Sequence, residues 1–247
     1  MRYFFEISYN GTNYHGWQNQ SNAIGVQQVV EDALSKLFRE KIEIVGSGRT
    51  DAGVHCAQQF FHADFKSELN EQDLIHRLNS FLPQDIAIYS IQKVKDDAHA
   101  RYDAFERSYE YTITTKKNPM LTGYSFYFFK PLDVEAMNHA AKILLGEHDF
   151  TSFSKVKTDV NHFVCDIKKA KWTKKDDLLL FEISANRFLR GMVRAVVGTL
   201  LDVGTGKISV HDFQEIIKGK DRKKAGMNVP PEGLSLVEVK YPKQIFI

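Results

Sequence analysis

The stretch Phe188-Leu189-Arg190-Gly191-Met192-Val193-Arg194-Ala195-Val196-Val197-Gly198-Thr199-Leu200-Leu201 sets the frame for the rest of the chain. Leu189, Met192, Val193, Val196, Val197, Leu200 and Leu201 recur at the spacing that puts them on one helical face, and Gly204 and Gly206 end the run. The pattern predicts a helix beginning near Phe188 and packed inward. Upstream, the apolar patterning predicts strands over 178–184 and 163–172, a helix over 133–145 and a strand over 107–115. Downstream it predicts a short helix over 210–218 and a strand over 234–239.

The first part of the chain carries the same order. Tyr3, Phe5, Ile7 and Tyr9 alternate at strand period before the turn Gly11-Thr12-Asn13. Val26, Val29, Val30, Ala33, Leu34, Leu37 and Phe38 form a helical stripe, and strands over 42–45 and 59–65 bracket a glycine-rich loop. Asn70 and Asp73 resemble a helix-capping pair; the stripe Leu74, Ile75, Leu78 and Phe81 then ends at Pro83, ahead of a strand over 86–94. Each half therefore reads strand, helix, strand, strand, helix, strand, the split order of ferredoxin-like modules, although no residue-level repeat is visible. The expected class is α+β: two ferredoxin-like halves, 1–98 and 99–247, joined into one mixed, mainly antiparallel sheet with a central cleft. The charged stretch Lys93-Val94-Lys95-Asp96-Asp97 is the expected junction.

With 43% hydrophobic and 26% charged residues the composition is that of a globular protein, not of a disordered or fibrous chain. The net charge is only +2, so any nucleic-acid surface has to come from local clustering of Lys and Arg. Cys56 and Cys165 are too few for a disulfide framework or a thiolate metal site, and the nine histidines lack paired ligand spacing. The start Met1-Arg2-Tyr3-Phe4-Phe5-Glu6 has no signal-peptide core, and no run reaches membrane-spanning length; a cytoplasmic protein is expected.

The loop Gly46-Ser47-Gly48-Arg49-Thr50-Asp51-Ala52-Gly53 carries one carboxylate among glycines that permit close approach of the backbone to a ligand. Asp51 is a candidate nucleophile or base there. The commoner role for Asp in such a turn is to bond its own main chain, so the residues by themselves leave both roles open. The loop lacks the Lys-Ser/Thr ending of a phosphate-binding P-loop, and Gly204-Thr205-Gly206-Lys207 fails the same pattern because it follows a helix.

Extended to His55, the loop resembles the G-x-G-R-T-D-x-G-V-H motif of the tRNA pseudouridine synthase A family. Gly11-Thr12-Asn13-Tyr14-His15-Gly16-Trp17-Gln18 is similar to that family's opening G-T-x-Y-x-G-W-Q. Arg107-Ser108-Tyr109-Glu110-Tyr111 is similar to its R-x-Y-x-Y, and Phe188 to Arg194 to its F-L-x-x-M-V-R. Pro231-Glu232-Gly233-Leu234 also fits, whereas 21–27 and 154–162 follow the family pattern loosely.

The resemblance implies a cofactor-free isomerisation of uridine to pseudouridine in the anticodon stem-loop of tRNA, carried out by a homodimer, with Asp51 as nucleophile. It assigns Arg194 as the cation paired with Asp51, Arg49 as the residue bracing the gap left by the extracted base, and Tyr109 as a substrate contact. Tyr109 and Tyr111 point to the same sheet face, and Tyr111 reads equally as core. Arg187, Arg190 and Arg194 are expected on one helical stripe. The cluster Lys218, Lys220, Arg222, Lys223 and Lys224 reads either as solvated surface or as phosphate contacts. The rival function is a non-catalytic RNA-binding protein with paired RRM-like modules, weakened by the lack of an RNP1-type aromatic string. A carboxylate-dependent hydrolase calls for a second positioned acid, and none accompanies Asp51 in its loop.

Overall fold

A computed structural model describes residues 1–155 and 162–247. Most of the loosely matching segment 154–162 thus lies outside the described residues. Two compact units are formed: Met1–Arg107 with Ser235–Ile247, and Ser108–Leu234. The sequence division at 98/99 follows element order, whereas this grouping follows packing and returns the last strand to the first unit.

In the first unit, β1 (Arg2–Tyr9) is central. It is followed by α1 (Val26–Phe38), β2 (Val45–Gly46), β3 (His55–Asp64), α2 (Glu71–Phe81) and β4 (Ile86–Val94). β1 pairs antiparallel with β3, Phe5 opposite Phe61, and with β4, Phe5 opposite Ile91. Tyr3, Phe5, Ile7 and Tyr9 are buried as their alternation predicts; Phe5 and Phe61 stack with ring centroids 4.7 Å apart. Phe4, on the opposite face, is also buried, in a second small core with Val94, Ala98, Ala100 and Ile245. α1 buries Val26, Val30, Ala33 and Leu34, and α2 begins where the Asn70 side chain accepts from the Asp73 amide. The strand expected over 42–45 is reduced to β2, which pairs with β3 at Val45 and Gly46.

The second unit holds most of β5 (Glu106–Thr114), then β6 (Phe126–Tyr127), α3 (Val134–Lys142), β7 (Gly146–Asp149), β8 (Val164–Lys175), β9 (Leu178–Ala185), α4 (Met192–Gly204) and α5 (Val210–Gly219). Its strands run in the order β5-β9-β8-β7, and β8 is antiparallel to both β7 and β9. α3 packs against α4, α5 and β8. The Asn138 side chain on α3 holds both main-chain groups of Trp172, at 2.9 and 3.1 Å. All of α4 except Arg194 and Asp202 is buried, which accounts for a helix with almost no polar face. α5 opens with a reciprocal cap between Ser209 and Asp212.

The chain closes with β10 (Leu234–Lys240), whose residues from Ser235 belong to the first unit. It pairs parallel with β3, Ser235 opposite His55 and Leu236 opposite Cys56. The α+β class and the mixed, mainly antiparallel pairing expected from sequence are observed. Among the described residues no helix is long and apolar enough to cross a membrane.

Two sequence expectations need correction. α4 starts at Met192, not near Phe188, because Gly191 takes φ +71° and turns the chain just before the helix. Arg187 and Arg190 therefore share no helical stripe with Arg194. The helix expected over 133–145 ends at Lys142, with Asp133 as its cap, and residues 146–149 pair as β7.

Candidate active site

The loop between β2 and β3 is held from several sides. The Ser47 amide donates to Phe60 O at 2.8 Å, and the Gln59 side chain donates to Gly48 O at 3.4 Å. The Thr50 hydroxyl meets the Tyr9 hydroxyl at 2.8 Å, and Tyr9 donates onward to Gln59 at 3.4 Å. Thr50 and Val54 are buried, while Asp51 between them is partly exposed and Arg49 is exposed. Asp51 thus sits at a turn with Gly53 at φ +77°, and its main-chain oxygen accepts from the Val54 amide at 3.2 Å.

The support comes largely from residues 9–17, a role that sequence reasoning did not assign them. The Trp17 amide donates to Thr50 O and the Gly53 amide to Tyr14 O, at 3.3 and 3.2 Å. The Gly11 amide donates to the buried His55 Nδ1 at 3.1 Å, so that nitrogen is an acceptor and His55 is a strut for the loop. A Cβ on Gly11 would lie 2.0 Å from Val54 O, and one on Gly16, at φ +88°, 2.3 Å from Thr50 O. A Cβ on Gly46 would lie 2.4 Å from Nε1 of the Trp17 indole. Gly11 and Gly16 are therefore places where the backbones of the two segments meet, and Gly46 makes room for the Trp17 indole, which links the two motifs.

Arg107 reaches the same loop. Its guanidinium donates to Ser47 O at 3.2 Å, Ala104 O at 2.6 Å and Arg101 O at 2.7 Å. The sequence singled out this arginine only as the first letter of a motif.

Arg49 and Asp51 belong to the first unit; Tyr109 and Arg194 belong to the second. Tyr109 is partly exposed, and its ring meets Phe188 edge to face at 5.1 Å. Tyr111 is core: its hydroxyl donates to Pro230 O at 2.8 Å, and burial pushes its pKa above the usual tyrosine range. Arg194 lies in the first turn of α4, where Nε donates to Val229 O at 2.7 Å and its main-chain oxygen accepts from the Val229 amide. That neighbouring loop is fastened further. The Gly226 amide donates to Thr199 Oγ1 at 2.9 Å, and Arg222 donates to Gly226 O and Asn228 Oδ1.

Of the basic cluster, Lys218 pairs with Glu215 and Lys220 with Asp149, at 2.9 and 2.8 Å. Arg222 is engaged with main chain, so much of the cluster stabilises its own fold. Among the described residues no group of three or more His, Cys, Asp or Glu side chains is placed to hold a metal ion.

A family model described as tRNA pseudouridine synthase matches residues 7–103 and 140–242, and the chain belongs to that family. Its relatives carry a narrower name, tRNA pseudouridine synthase A. The one from Bacteroides fragilis is 49% identical, covering 100% of this chain and 98% of its own. The one from Colwellia psychrerythraea is 43% identical over 98% and 95% of the two chains, and that from a Thermoanaerobacter species 39% over 95% and 97%.

Proposed function

We propose that this chain isomerises uridine to pseudouridine in the anticodon stem-loop of tRNA, with Asp51 as the nucleophile. Full-length similarity to proteins named for this activity supports the reaction. The observation that carries the choice of residue is the fastening of the loop on both sides of Asp51, which keeps one partly exposed carboxylate at a defined turn. Such preorganisation favours a nucleophile, because little ordering remains to be done when the substrate arrives.

In this reading the uracil N1 to ribose C1′ bond breaks, the base turns, and a C5 to C1′ bond forms. The proton lost from C5 is balanced by one gained at N1, so no oxidant, phosphate donor or cofactor enters. The Asp51 carboxylate adds covalently and leaves again, and water is kept from the detached base. Arg194 is, in this proposal, the cation that partners Asp51. Arg49, exposed beside it, braces the space left in the RNA, and Tyr109 packs on the uracil. The protein acts as a homodimer in the cytoplasm, the half 1–98 carrying the catalytic loop.

The test is to incubate an unmodified tRNA transcript with wild-type protein and with Asp51→Ala, then map pseudouridine by carbodiimide adducts and primer-extension stops. Stops in the anticodon arm with wild type only are expected. Equal stops with both proteins refute Asp51, and tight RNA binding without stops moves the assignment to a non-catalytic RNA-binding protein.

A further inference from the structure

The segment between β4 and β5 presents aromatic side chains to solvent: Tyr102 is 74% exposed and Phe105 53%. Single exposed aromatics are ordinary on protein surfaces, but Tyr102 is held in place by its neighbours. The His99 ring lies 4.3 Å from it, centroid to centroid, tilted by 36°. The Arg101 guanidinium sits over it at 5.7 Å.

The backbone beneath is over-determined. His99 Nδ1 accepts from the Arg101 and Tyr102 amides at 3.1 and 3.3 Å, and the His99 amide donates to the Asp103 carboxylate at 2.7 Å. Asp103 returns a main-chain bond to His99 O at 3.0 Å. The guanidinium of Arg107, which holds Arg101 O, also holds Ser47 O, so this tip and the loop of Asp51 share one clamp.

We infer that Tyr102, backed by His99 and flanked by Arg101, is a stacking platform for a nucleotide base of the RNA substrate. This rests on the tRNA reading above. A preorganised aromatic ring with an exposed arginine beside it fits a nucleic-acid strand: the π-face takes a base of any sequence, and the guanidinium moves from the ring to a phosphate. Because the clamp fixes the platform relative to the loop of Asp51, a base stacked there sets the register of the strand entering the site. The platform contributes to binding and leaves the chemical step to Asp51.

The experiment compares wild type, Tyr102→Ala, Tyr102→Trp and Arg101→Ala for unmodified tRNA affinity and for single-turnover pseudouridine formation at saturating RNA. Removing one stacking ring is expected to weaken binding about tenfold, with the saturated rate within about twofold of wild type. Tyr102→Trp restores wild-type affinity, and Arg101→Ala gives a loss that shrinks as salt is raised. Tyr102 is exposed, so equal melting temperatures exclude a folding effect. Tyr102→Ala binding within twofold of wild type overturns the platform, as does a loss that tryptophan fails to restore. A wild-type protein that binds tRNA but makes no pseudouridine defeats the isomerase reading alone, and the platform is then judged on affinity.

Discussion

Arg107 donates to the main-chain oxygen of Ser47 at 3.2 Å, four residues before Asp51, from a position sixty residues along the chain. The same guanidinium fork takes the oxygens of Arg101 and Ala104. A charged donor that satisfies carbonyls in two segments makes the segments move together. A hydrogen bond from a charged donor is worth about 1.5–3 kcal/mol when buried and less where water competes, as it does at these partly exposed bonds, and a lysine cannot reproduce the fork.

Arg107→Met is accordingly expected to lower stability by about 2–3 kcal/mol and to slow the single-turnover rate more than it weakens tRNA binding. Arg107→Lys should recover stability only in part. Urea unfolding and single-turnover assays check this; wild-type values for both quantities in the methionine variant would rule out the clamp.

Gly16 and Thr50 touch backbone to backbone, and Gly16 has a left-handed φ of +88°. Gly16→Ala combines that conformation with a Cβ 2.3 Å from Thr50 O, so about 2–4 kcal/mol of destabilisation is expected from strain and overpacking together. Pseudouridine formation should fall at least tenfold, because relief comes from moving the loop that carries Asp51. A variant crystal structure with the loop unmoved and full activity would contradict the expectation.

Thr199 is fully buried in α4, donating to Ala195 O at 2.7 Å and accepting from the Gly226 amide at 2.9 Å. Thr199→Val keeps the shape and orphans that amide, at a cost of about 1–3 kcal/mol. Hydrogen exchange should speed up over 224–229, the loop that receives Arg194 Nε, while α3 stays protected. Uniform exchange across both would show that the bond does not fasten the loop.

Burial pushes the His62 imidazole down to about 4, helped by Arg2 and His99 and opposed by Asp64 and Asp103. Its Nδ1 accepts from the Ala100 amide at 3.1 Å, as a neutral ring must. The folded pKa lies below the unfolded value of 6.5, so the unfolded chain binds the extra proton between these limits. The contribution is complete above pH 6.5 and is lost as pH falls towards 4. Denaturant unfolding at pH 7 and pH 4.5 should show a smaller acid loss for His62→Asn than for wild type. Equal losses would remove His62 from the acid response.

Regular elements with one apolar face were legible in the sequence: α1 begins at Val26 and β4 spans Ile86–Val94, because their patterning and their burial coincide. Local backbone geometry was not. Leu189 continues the apolar rhythm of α4, but Gly191 breaks the helix, and periodicity cannot register a positive φ. β2 is too short for alternation to define it. At the site, the Asp51 loop was legible as a glycine-rich motif. Its packing was not, since the contacts of Gly11 with Val54, of Gly16 with Thr50 and of Gly46 with Trp17 join residues far apart in sequence.

β10 enters the first unit beside β3 after the whole second unit has been traversed. A ribosome delivers the chain from its N-terminus, so the His55–Cys56 end of β3, beyond the reach of β2, waits without its β10 partner through the translation of Ser108–Leu234. Its core around Phe4 also lacks Ile245 and Phe246 during that interval. A nascent chain of this protein therefore carries an unfilled strand position until β10 emerges, and that vacancy is where a holdase, or a misplaced strand from another nascent chain, has its opportunity.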